Sequence, residues 1–135
     1  MNKTTLLEVL RQLSEKAPAL WRLDGSCNLL VQNIDVQPKD VDICTTKEGV
    51  DAFAKAFGVE ARQNPEIESY NATFEVEGVE VDVNFYDTRP ELNMLDTVCW
   101  VDWKNLKLPC LPLCDAKRFY EMIDRKDKVE LLEEY

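Results

Sequence analysis

The stretch Leu20-Trp21-Arg22-Leu23-Asp24-Gly25-Ser26-Cys27-Asn28-Leu29-Leu30-Val31 changes character at its middle. Residues 20–24 read as a short strand that ends at Gly25, and from Ser26 onward the chain suits a helix. A strand, a Gly-Ser pair and a helix in that order aim backbone N–H groups and the positive helix end at one place, which suits an anion. The same order also describes an ordinary strand-to-helix turn, and the pair alone does not decide between them.

Two acidic stretches downstream bear on the choice. In Lys39-Asp40-Val41-Asp42-Ile43-Cys44 the apolar Val41 and Ile43 face one way, and Asp40 and Asp42 the other. On a strand over 39–44 these two carboxylates project from the same side, roughly 6–7 Å apart. Like charges that close repel unless a cation sits between them. A half-exposed strand in an acid-rich chain is the other reading. Further on, Tyr70 to Val76 and Val79 to Tyr86 flank Glu77-Gly78, the signature of a tight hairpin. On its second strand Val79, Val81, Val83 and Phe85 share one face; Glu80, Asp82, Asn84 and Tyr86 share the other. Should this strand pair beside 39–44 with apolar sides together, Asp82 reaches Asp40 and Asp42.

The remaining segments supply packing. Thr5-x-x-Glu8 predicts a capping box for a helix over 5–16, with Leu6, Leu10 and Leu13 on one face. Thr45-x-x-Glu48 predicts a second box, opening an amphipathic helix with Val50, Phe53 and Phe57 that stops at Gly58. Loops are expected at 32–38 and 87–96, and a loop or a ragged edge at 59–68. Thr97 to Leu108 predicts two short strands about a turn at Lys104-Asn105, with Trp100 and Trp103 either packing, the preferred role, or lining a cleft. Residues 108–112 are extended. Asp115 is expected to cap a helix running to Ile123, and a last helix covers roughly 126–134. Lys117, Arg118, Arg125, Lys126 and Lys128 form a basic cluster that suits either an anion or a solvated face paired with neighbouring acids.

Composition narrows the function classes. The chain has 135 residues, 45% of them hydrophobic, which fits one domain over 1–135 with a core of its own. With 26 acidic and 16 basic residues the formal charge is −10, so extended nucleic-acid binding is not expected. No apolar run nears the roughly 18 residues of a membrane span, and no basic-then-apolar leader is present, which together predict a cytoplasmic protein. The five cysteines are an odd number and read as free thiols. The chain contains no histidine, so Ser-His and Cys-His nucleophile systems are excluded.

Gly25-Ser26, then Asp40-x-Asp42 on a strand, then Asp82 on a later strand: in this order the sequence resembles the nucleotidyltransferase superfamily of the DNA polymerase β type. It is most similar to small stand-alone members of the abortive-infection and minimal kind. Leu111-Pro112-Leu113, the helix after it and Arg125-Lys126-Asp127 also look like the tail of those members. The 13 residues between Ser26 and Asp40, and Pro38-Lys39 just ahead of the first acid, depart from the pattern.

The resemblance implies an α+β fold: a mixed twisted sheet with helices packed mainly on one face. It implies transfer of a nucleoside monophosphate, AMP from ATP, to an acceptor hydroxyl. Asp40, Asp42 and Asp82 would be the catalytic and metal-holding acids for two Mg²⁺ ions. Gly25 and Ser26 would contact the nucleoside triphosphate, with Lys39 as a further phosphate contact. The acceptor would be a small molecule or a protein, and a homodimer or partner protein could complete the cleft. The alternatives are an antitoxin-like protein of the same fold that binds a partner, and a metal-binding α+β domain without transfer activity.

Overall fold

Leu23 lies beside Ile43 on one side and Cys110 on the other, which places the first strand in the middle of a sheet. The structure is a computed structural model and describes residues 1–134. Its strands are β1 (Trp21–Asp24), β2 (Val41–Thr45), β3 (Arg62–Asn64), β4 (Ser69–Val76), β5 (Val79–Phe85), β6 (Cys99–Trp103) and β7 (Leu106–Cys110). They form one sheet in the order β3-β4-β5-β2-β1-β7-β6. The β2–β5 and β1–β7 pairs are parallel and the others antiparallel, so the sheet is mixed.

Both hairpins form where their turn residues put them. Glu77 and Gly78 have φ of 52° and 76°, and Lys104 and Asn105 have 48° and 69°; two positive φ values in a row match the twist of the flanking strands. The segment read as a loop or ragged edge at 59–68 contains the short edge strand β3, which pairs with β4. Asp40 precedes β2 rather than lying in it.

The helices are α1 (Lys3–Lys16), α2 (Gly25–Val31), α3 (Lys47–Phe57), α4 (Leu113–Met122) and α5 (Lys126–Leu132). Leu6, Val9, Leu10 and Leu13 of α1 and Val50 and Phe53 of α3 pack with Leu23, Val41, Ile43, Val81 and Val83 into the main core on one sheet face. A second apolar cluster joins Leu29, Ile34, Leu111, Ala116, Tyr120 and Leu132. It seats α4 and α5 beside the other face. Among the described residues no helix is long and apolar enough to cross a membrane.

The helix caps fall elsewhere than the sequence motifs suggest. Asn2, not Thr5, caps α1: its Oδ1 accepts from the Thr5 N–H at 2.8 Å. Thr46, one residue past the expected Thr45, caps α3 by accepting from the Gly49 N–H at 3.0 Å. Thr45 is the last residue of β2, and its hydroxyl donates instead to the Leu20 carbonyl. Asp115 lies inside the first turn of α4, whose cap position is Pro112. Gly58 ends α3 at φ 71°, as expected. Trp103 packs against the core, but Trp100 is 66% exposed on the edge strand and does not pack.

Candidate active site

Alternation along β5 and register between strands gather the acids. Val41, Ile43, Val81 and Val83 turn into the main core, so Asp42 and Asp82 turn to the opposite face. Asp42 is the register partner of Asp82 on β5 and of Asp24 on β1. Three carboxylates therefore sit in one row across three adjacent strands. Asp40, at the approach to β2, and Glu80, two residues before Asp82 on the same face, complete the cluster. Carboxylate oxygens of Asp40, Glu80 and Asp82 all lie within 4.8 Å of one another. Thr73, opposite Asp82 on β4, donates its hydroxyl hydrogen to Asp82 Oδ1 at 2.7 Å and fixes that side chain.

Crowding shows in the electrostatics. Burial, reinforced by Asp40, Asp82, Asp24 and Glu80, pushes the Asp42 carboxyl up to about 7. The charge of Asp82, with lesser help from burial and Asp40, raises Glu80. Such a set of oxygens gains from a cation between them. The donors are all carboxylates, which suits a hard divalent ion such as Mg²⁺. The nearby thiols of Cys27 and Cys44 are buried and pushed up by that burial, so they stay protonated and offer no soft ligand.

Asp24 plays a different part. Its two oxygens accept from Arg22 Nε at 2.8 Å and Nη2 at 3.0 Å, and Arg22 Nη1 donates to the Met94 carbonyl at 2.5 Å. Arg22 is fully buried. Burial pushes the Asp24 carboxyl up and Arg22 pulls it back. With both oxygens engaged, Asp24 supports the row instead of joining the Asp40–Glu80–Asp82 group.

The Gly25-Ser26 turn abuts the acids. Gly25 opens α2 at φ 66°, and a Cβ there would stand 2.6 Å from Asp42 Oδ2. Only glycine allows the turn to lie this close to the carboxylate row. The buried Asn28 holds α2 in place: its amide donates to the Leu111 carbonyl at 3.0 Å and accepts from the Leu111 N–H at 3.1 Å.

A cavity of about 780 Å³ opens over this face. Asp24, Asp40, Asp42 and Asp82 lie at one side with Gly25 and Ser26. Tyr86, Leu92, Phe119, Tyr120 and Ile123 give it an apolar and aromatic wall, and Arg89, Arg125 and Lys128 add positive charge. The volume is that of a site for a drug-sized or nucleotide-sized ligand.

Of the residues singled out from sequence, Asp40, Asp42, Asp82, Gly25 and Ser26 all line this cavity, while Lys39 is exposed and does not. Of the tail cations, Arg125 and Lys128 reach it, and Lys117, Arg118 and Lys126 do not. Glu80, Asp24 and Arg22 were not singled out. The facial alternation of 79–86 already placed Glu80 with Asp82, so that signal was present. Nothing local to Arg22-x-Asp24 announces that both would be buried.

No protein-family model matches the chain, and no curated protein matches it. Solved structures do. TM1012 of Thermotoga maritima, described as a presumed nucleotidyltransferase, superposes with a TM-score of 0.77 at 22% identity over 99% of this chain and 94% of its own. LnuA, a lincosamide antibiotic adenylyltransferase solved with lincomycin bound, gives 0.66 at 15% identity over 98% of this chain and 97% of its own. The chain has the nucleotidyltransferase fold, as the motif resemblance implied.

Proposed function

We propose that this protein is a metal-dependent nucleotidyltransferase that moves a nucleoside monophosphate, AMP from ATP, to a hydroxyl of a small-molecule or protein acceptor, the new bond from that oxygen to the α-phosphorus replacing the bond to the β-phosphate, which leaves as pyrophosphate. The observation that carries the reading is the meeting of Asp40, Glu80 and Asp82 oxygens within 4.8 Å, beside Asp42. A cluster that costly to leave uncompensated fits a site for divalent metal and polyphosphate. The adenylyl donor and a small-molecule acceptor are further supported by the fold shared with LnuA.

In this reading Asp40, Asp42 and Asp82 hold two Mg²⁺ ions, with Glu80 beside them. When bound, such ions lower the pKa of an acceptor hydroxyl and neutralise charge on a triphosphate. The remaining work falls to the chain itself. Asp82, steadied by Thr73, is the general base that takes the acceptor proton. Gly25 lets the backbone approach the phosphates, and the Ser26 hydroxyl binds a phosphate oxygen. Arg22 keeps Asp24 from adding an uncompensated charge to the row. The aromatic wall of Tyr86 and Phe119 offers a face for a planar base or an acceptor.

The test is transfer of label from ATP carrying it at the α-phosphate, across a panel of hydroxyl acceptors, with Asp40→Asn and Asp82→Asn as controls. Labelled acceptor formed by the native chain and by neither variant supports the reading. Label on no acceptor, together with absence of Mg²⁺-dependent ATP binding, rejects it.

A further inference from the structure

Asn84 stands two residues past Asp82 on the same face of β5, and Tyr86 follows two residues further on. Read outward from the metal cluster, that face runs acid, amide, aromatic ring. Asn84 lines the cavity with Asp82 and Tyr86, yet it is only 5% exposed. Its register partners are Asn71 on β4 and Cys44 on β2.

A buried polar network orients its amide. Ser69 Oγ donates to Asn84 Oδ1 at 3.2 Å, and Asn71 Nδ2 donates to the same oxygen at 2.9 Å. Ser69 and Asn71 are themselves buried. The Val83 carbonyl, which can only accept, lies 3.4 Å from Asn71 Nδ2 and settles which way that amide points. Both lone pairs of Asn84 Oδ1 are therefore taken, and Nδ2 turns away from β4. Among the described residues nothing accepts from Nδ2, and no side-chain nitrogen or oxygen is sealed from solvent without a partner. Its two N–H donors are thus open to the cavity. A fixed, nearly buried amide with both donors unused is built to meet a ligand oxygen.

Its place says which oxygen. The phosphate contacts proposed above, Gly25 and Ser26, lie across β2 at the end of β1, where Lys128 donates from Nζ to Ser26 Oγ at 3.1 Å. Roughly 6–7 Å of chain separates Asn84 from Asp82 on one side and from Tyr86 on the other. The Tyr86 ring stands 5.8 Å from that of Phe119 in the aromatic wall. A nucleotide held by its phosphates at the acids and by its base at this wall lays its sugar over Asn84, because phosphate, sugar and base follow in the same order as acid, amide and ring. Resting on the transferase reading, we propose that Asn84 reads the ribose, its Nδ2 donating to a sugar hydroxyl oxygen of the nucleoside triphosphate. A nucleotide without that hydroxyl covers the amide and leaves its donor unpaired, which is the physical basis of the discrimination.

Calorimetric titration with Mg-ATP and with Mg-2′,3′-dideoxy-ATP tests this. The native chain should bind ATP about fivefold or more tightly than the analogue, the scale of one hydrogen bond. Asn84→Ala should bring the two within about twofold by weakening ATP alone. Asn64→Ala removes another cavity-lining asparagine and should keep the native ratio. A readout that needs no variant is the side-chain amide resonance of Asn84, which should move more with ATP than with the analogue. Equal native affinities, a native ratio retained in Asn84→Ala, or equal movement of the resonance overturns the proposal. Equal weakening of both nucleotides in Asn84→Ala also overturns it, and marks the amide as a strut between β4 and β5. Those outcomes leave the transferase reading standing. A native chain that binds neither nucleotide removes both.

Discussion

Asp42 and Asp82 face each other across the parallel strands β2 and β5, in register and on the same side of the sheet. Their proximity gives the metal-free protein a specific pH response. Asp42 is raised in the folded chain to about 7 from an ordinary 3.8, so folding favours its neutral form. The stability this contributes is complete below about pH 4 and is lost as pH rises through about 7. The loss should be on the order of 2–4 kcal/mol, measured by urea unfolding in chelator between pH 4 and 8. Added Mg²⁺ should flatten the curve, and Asp42→Asn should reduce its slope, leaving the share that comes from the other raised carboxylates, Glu80 and Asp24.

Asp40→Asn and Asp82→Asn should remove transfer activity by at least about a hundredfold while leaving stability within about 1 kcal/mol. Neither side chain is fully buried, and each variant relieves repulsion in the cluster. Label transfer and thermal melts on the same preparations separate the two effects.

Glu80→Gln should weaken Mg²⁺ binding by roughly threefold to tenfold, the low end of what supporting groups contribute. Its carboxylate reaches the oxygens of Asp40 and Asp82 but is exposed, so the fold should not respond. Direct metal titration by calorimetry is the measurement. Unchanged affinity would mean that Glu80 stands beside the metal position without sharing it.

Gly25→Ala should damage the site and the fold together. The new Cβ would meet Asp42 Oδ2 at 2.6 Å, and the positive φ adds about 1–2 kcal/mol of backbone strain. Mg-ATP binding should fall sharply while the chain remains folded at 25 °C. Gly78→Ala has the same sign of φ with open space around it, and it serves as the control for strain alone.

Arg22→Met should destabilise the protein by about 3–5 kcal/mol, because it strands Asp24 as a buried charge. Combining it with Asp24→Leu should recover most of the loss. Urea denaturation of the native, single and double variants measures the recovery.

What could be read beforehand follows the range of the interactions. Hairpins at Glu77-Gly78 and Lys104-Asn105 depend on backbone torsions of adjacent residues, and the alternation of 79–86 fixes which side chains share a face. Asp42 and Asp82 were legible because that facial logic carries across a strand pair, whereas Asp40 precedes β2 and joins them from outside the pairing. The caps went astray by one to three residues because Asn, Thr and Asp compete for the same N–H groups, and the approach of the chain decides which wins. Arg22 gave no warning, since the carbonyl that takes its Nη1 hydrogen belongs to Met94, 72 positions away. Lys128 was visible only as one cation among five in the tail. Its selection depends on a contact with Ser26 that no local pattern encodes.

The bond from Lys128 to Ser26, together with the parallel seat of β7 against β1, has a consequence for synthesis. A nascent chain that has emerged only through the first hairpin, β4–β5, holds its acids without Arg89, Arg125 and Lys128 opposite them and with β1 bare along one edge. Nucleotide affinity should therefore arrive late, in a single step, once the segment around residue 128 has cleared the ribosome.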